Sequence, residues 1–175
     1  MIRAERLAVE LPVVLSLGSN LGDREATIRD AVSAISGLSG VRAVAASGLV
    51  QTPALKPDGV DEDAPAYLNA ILKLRTSLLP EQLLEATSAI ELERGRTRDE
   101  RWGDRTLDID IVSWGGLSIA TDRLTIPHPR AAQRAFVLAP WLEIDPHATL
   151  GGESVAALLA ATGDTVEPFP AEPLL

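Results

Sequence analysis

The chain has 175 residues, 46% of them hydrophobic, and a formal net charge of -9 from 16 Lys and Arg against 25 Asp and Glu. That size and apolar content suit one domain, residues 1–175, around a single core, with tails expected at 1–12 and 163–175. The acidic balance excludes general nucleic-acid binding, which needs an excess of basic residues, and the absence of cysteine excludes disulfides and thiolate metal sites.

Near the start, Glu5, Glu10 and Pro12 interrupt any apolar run, so neither a signal peptide nor a membrane span is expected. The expected location is the cytoplasm. Val13 to Leu17 is then a short apolar strand, ended by Gly18-Ser19-Asn20 and Gly22-Asp23, which read as a structural turn and a helix N-cap. Ile28, Ala31, Val32 and Ile35 repeat at helical spacing up to Gly37 and Gly40. Val41 to Val50 reads as a second strand closed by Gln51-Thr52-Pro53, and residues 54 to 66 as a solvated acidic loop.

From Tyr67 to Arg75 the alternation is clear. Leu68, Ala70, Leu72 and Leu74 take one face of a strand, and Tyr67, Asn69, Ile71 and Lys73 the other. Pro80 opens a second helix with an apolar stripe through Leu83, Ala86 and Ile90, stopped by Gly95. Thr106 to Ser113 is a strand, Gly115-Gly116 a turn, and Leu117 to Ala120 a return strand. The run Phe136 to Leu142 is apolar, Ser154 to Ala161 is a last small helix, and the Pro-rich end from Glu167 is a tail. Strand, helix, strand, twice over, predicts an α+β fold: a ferredoxin-like αβα sandwich with a mainly antiparallel sheet and helices on both faces.

On the strand at 106 to 113, Asp108 and Asp110 share one face while Leu107, Ile109 and Ile111 take the other. At about 6.6 Å along the strand, the two carboxylates can converge on divalent cations. Arg94, Arg96, Arg98, Arg101 and Arg105 fall within the twelve residues just upstream, in a chain that is otherwise acidic. An isolated Asp-x-Asp is more often just the polar face of a strand. Guanidinium groups beside paired carboxylates are instead what a phosphoryl-transfer site needs.

Several stretches agree in order and spacing: Leu17 to Asp23, Gln51-Thr52-Pro53, Tyr67 to Ala70, Ile90 to Arg96, Arg101 to Asp110, and Ile126 to Arg130. Together they resemble the 6-hydroxymethyl-7,8-dihydropterin pyrophosphokinase family of folate biosynthesis, from about Val13 to Pro146, with Glu91 to Asp110 the most specific block. The resemblance implies transfer of pyrophosphate from ATP to the pterin hydroxymethyl group with release of AMP, assisted by two Mg²⁺ ions, in a three-layer αβα fold. It implies Asp108 and Asp110 as metal ligands and, with Arg96 and Arg105, as the catalytic set.

For ATP the resemblance implies Glu91, Arg96, Arg98, Trp102, Arg105, Ile111, Arg123, Thr125, His128 and Arg134. For the pterin it implies Thr52, Pro53, Leu55, Tyr67, Asn69, Trp102 and Phe136. The chemistry fits, since a flat heterocycle stacks between rings and an Asn supplies both a donor and an acceptor to an amide-like edge. The expected partners are ATP and the hydroxymethyl dihydropterin, with no nucleic acid or membrane, acting on a monomer. Two other readings stay open on the residues alone: a small-molecule-binding regulatory domain on the same scaffold, and another two-metal transferase built on an Asp-x-Asp strand.

Overall fold

The computed structural model describes residues 9–56, 59–61, 66–94 and 106–175, with the backbone alone for 54–56 and 60–61. Strand β1 (Leu11–Ser19) opens the fold, two residues longer at each end than its apolar run suggests. Helix α1 (Arg24–Ser36) follows, with the Asp23 carboxylate accepting from the Ala26 N–H at 3.1 Å as its cap. The buried residues of α1 are Ile28, Ala31, Val32 and Ile35, the stripe expected from the spacing.

The expected strand from Val41 to Val50 is two strands, β2 (Val41–Ala46) and β3 (Leu49–Thr52). Ser47 breaks it. Its N–H donates to the Ile71 carbonyl at 2.9 Å, while its hydroxyl oxygen accepts from the Ile71 N–H at 2.8 Å, standing in for a main-chain acceptor. The expected loop after Pro53 instead holds a small antiparallel pair of β4 (Ala54–Lys56) and β5 (Gly59–Asp61).

Strand β6 (Tyr67–Thr76) and helix α2 (Pro80–Glu93) occur as the periodicity predicts, and the Leu79 N–H at the helix start donates to Gln82 Oε1 at 2.8 Å. Next come β7 (Asp108–Trp114), β8 (Ile119–Ala120) and β9 (Thr125–Ile126). The expected return strand does not pair with β7: β8 pairs with β9 in a separate hairpin. The apolar run after Arg134 is helix α3 (Ala135–Ile144), and a short hairpin of β10 (Thr149–Leu150) and β11 (Glu153–Ser154) leads to α4 (Val155–Thr162). The C-terminal segment is not a free tail. Strand β12 (Glu167–Phe169) pairs with β3, and Arg29 donates to the carbonyls of Glu172 and Pro173.

Among the described residues the main sheet has six strands in the order β12-β3-β6-β1-β7, with β2 also on β6, and every pairing is antiparallel. Helices α1 and α2 seal one face over Val13, Leu15, Leu17, Leu68, Leu72, Ile109 and Ile111. Helices α3 and α4 pack on the other face over Val14, Ile71 and Val112. This is the ferredoxin-like αβα sandwich read from the sequence. No helix among the described residues is long and apolar enough to cross a membrane.

Candidate active site

The face under α3 and α4 changes along the strands from apolar residues, Val14, Ile71 and Val112, to polar ones. Register explains which groups meet there. Gly18 on β1 stands opposite Asn69 on β6 and opposite Asp108 on β7, so these three positions form one row across the sheet. The next row is Ile71, Ser16 and Asp110. In antiparallel pairs opposite residues point to the same side, so both carboxylates, Ser16 and Asn69 share the face that carries α3.

Asp108 and Asp110 are half-buried on β7, which is an edge of the main sheet among the described strands. The chain after β9 returns alongside them, because the His128 N–H donates to the Val112 carbonyl at 2.9 Å. His128 Nδ1 then accepts from the Arg130 N–H at 3.2 Å. That bond leaves the proton of the neutral imidazole on Nε2, which faces Asp110 Oδ2 at 3.9 Å.

Burial holds the His128 pKa below its ordinary value; the Arg134 and Arg130 guanidinium groups lower it further, against the opposing pull of Asp108. Neutral at pH 7, the ring offers a donor rather than a charge. Arg134 supplies charge on the same side, with Nη1 3.7 Å from Asp110 Oδ2. Its guanidinium carbon also lies 5.5 Å from the centroid of the Phe136 ring, so one side chain touches both the carboxylate and the aromatic group at the start of α3.

Toward β3 on the same side of the sheet, Thr52 stands opposite Tyr67 on β6. Asn69 is 5% exposed, and its Nδ2 donates to Thr52 Oγ1 at 3.4 Å. Pro53 is exposed next to Thr52. The described residues thus bring together a carboxamide, a hydroxyl and a phenol at one end and two carboxylates, an imidazole and a guanidinium at the other, with Gly18 between.

Other expected residues sit elsewhere. Ile111 and Glu91 are buried on the α2 side of the sheet, not on the face carrying the aspartates. Thr125 is exposed on β9, and exposed Arg123 pairs with Glu81 at 3.3 Å. Arg96, Arg98, Trp102 and Arg105 lie outside the described residues, as does the side chain of Leu55. Sequence reasoning missed Ser16, Gly18 and the Arg130 N–H. Only Gly18 carried a signal, as a glycine at the end of an apolar strand run.

As to metal, Asp108 and Asp110 present hard oxygens on one face, and Mg²⁺ is commonly held by one or two carboxylates with water and phosphate oxygens completing its shell. The donor set fits that ion. Among the described residues no group of three or more His, Cys, Asp or Glu is placed to hold a metal alone.

The layered architecture first assigns the chain to a class. Its fold is shared with Plasmodium falciparum HPPK-DHPS, solved with pteroate, at a TM-score of 0.66 over 87% of this chain; at 13% identity that likeness speaks for the fold only, and the chain spans 42% of that longer protein. Residues 14–146 match the family described as 7,8-dihydro-6-hydroxymethylpterin-pyrophosphokinase (HPPK), and the chain belongs to that family. It is 42% identical over 146 residues to the 2-amino-4-hydroxy-6-hydroxymethyldihydropteridine pyrophosphokinase of Methylorubrum extorquens, covering 83% of this chain and 90% of that one. It is 45% identical over 130 residues to the Bacillus subtilis protein of the same name, covering 74% and 75%.

Proposed function

We propose that this enzyme transfers the pyrophosphoryl group of ATP to the hydroxymethyl oxygen of 6-hydroxymethyl-7,8-dihydropterin, giving the pterin diphosphate and AMP in folate biosynthesis. Family membership supports the reaction. The observation that supports its location is the row Asn69, Gly18 and Asp108, which puts a carboxamide and a carboxylate on the same side of the sheet, one strand to either side of Gly18.

The Asn69 carboxamide and the Thr52 hydroxyl read the polar edge of the pterin, and Tyr67, Phe136, Trp102, Pro53 and Leu55 complete the set of pterin-binding residues. Asp108 and Asp110 hold two Mg²⁺ ions, which when bound offset the charge of the phosphate oxygens. His128 presents Nε2–H, and Arg134 its guanidinium, to the phosphate chain beside Asp110. Arg96 and Arg105 stabilise the transferred group, and Arg98, Arg123, Thr125, Glu91 and Ile111 complete the nucleotide side.

Catalysis on this reading is positioning and charge stabilisation, with the hydroxymethyl oxygen as nucleophile and AMP as leaving group. The enzyme acts as a monomer in the cytoplasm on these two small molecules, with neither nucleic acid nor membrane as partner. Incubation with ATP, Mg²⁺ and the hydroxymethyl dihydropterin, followed by nucleotide chromatography, is expected to yield AMP and pterin diphosphate in equal amounts. ADP as the sole nucleotide product overturns the reading.

A further inference from the structure

We infer that Gly18 is a positioning residue for the pterin: its missing side chain leaves the space in which the Asn69 carboxamide lies. The inference rests on the pyrophosphokinase reading above and adds a residue to it. Glycine inside a strand weakens it, so its presence there calls for a reason. Backbone conformation is not the reason, because Gly18 is not among the glycines of positive φ, such as Gly22 and Gly40.

Space is. A Cβ on Gly18 would stand 2.7 Å from Asn69 Oδ1, well inside contact distance, while its next neighbours, Asn69 Cγ and the Leu68 carbonyl oxygen, are at 3.8 Å. The Asn69 carboxamide therefore lies flat across the sheet. Its Nδ2 donates toward Thr52 on the β3 side, and its Oδ1 rests over β1 in the row that ends at Asp108.

This pose fixes which way the amide's acceptor and remaining donor point, which is what a ring with an adjacent donor and acceptor on one edge requires. A methyl at position 18 would turn the carboxamide out of that pose. Because it meets the tip of one side chain rather than backbone, the strand itself can remain.

The test is Gly18→Ala, read by steady-state kinetics, pterin binding and thermal unfolding. The expected result is an unfolding midpoint close to wild type, a pterin KM and Kd raised about tenfold or more, and an ATP KM unchanged. In an Asn69→Ala background the same substitution is expected to change pterin binding no further, since the clashing group is gone. An unchanged pterin KM, an equal effect in the Asn69→Ala background, or a parallel rise in the ATP KM overturns the inference. If Gly18→Ala fails to fold, the Gly18→Ala/Asn69→Ala double variant is expected to recover the fold, and its failure to do so is equally fatal. Wild-type enzyme that makes no AMP would instead sink the functional reading, which keeps the two failures apart.

Discussion

The two faces of one sheet, seen along the same three strands β1, β6 and β7, differ in kind. On the α1 and α2 side, alternate residues of β1, β6 and β7 are Leu15, Leu17, Leu68, Leu72, Ile109 and Ile111, none more than 5% exposed. On the α3 and α4 side the intervening residues begin as Val14, Ile71 and Val112 and end as Ser16, Asn69, Asp108 and Asp110. A period of two lets each strand present an apolar core on one side and polar groups on the other. The contrast teaches that stability and chemistry are separable here by a single step along the chain.

Substitutions on either side can break that separation. The largest effect is expected at Asp110→Ala, where turnover should fall about a thousandfold or more for loss of charge stabilisation, with thermal unfolding little changed. Unfolding of that variant would mean that the carboxylate belongs to the framework. On the sealed face, Leu15→Ala should cost about 2 to 5 kcal/mol in denaturant unfolding, with kcat per folded molecule preserved.

Arg134→Ala should raise the ATP KM about tenfold and, because the guanidinium lies over Phe136, also weaken pterin binding by a smaller factor. An effect on neither substrate would remove Arg134 from the site. The smallest effect concerns His128. Its pKa is lowered in the fold, chiefly by burial, so the unfolded chain takes up the proton first. The stability due to the neutral ring is complete above about pH 6.5 and is lost as pH falls from there through the folded value. Stability curves of wild type and His128→Gln should therefore run parallel above that pH, with the wild type's advantage shrinking below it. An advantage that grows on acidification contradicts the assignment.

Much of this fold was legible from local pattern. The alternation of β6, the cap at Asp23 and the stripe of α1 are all short-range signals, and they sufficed for the sandwich. What local pattern hid depends on distant partners. Ser47 looks like any residue in a β-prone run until Ile71 bonds to it, and the strand pair at 54–61 was masked by its acidic, proline-bearing sequence. The paired aspartates were readable because spacing alone puts them on one face. The contact of Arg134 with Phe136 and the nesting of Asn69 over Gly18 were not, since nothing in spacing forecasts which rotamers meet.

The pairing of β12 with β3 bears on how these molecules behave at high concentration. An unguarded strand border invites another chain to add to it, which is a common route to aggregation. Here the molecule's own last segment occupies that border with three residues, of which the middle one, Pro168, has no amide hydrogen to offer and Glu167 is charged. A newcomer would find a short, poorly templating rim, so trimming residues 164 to 175 should expose β3 and promote self-association.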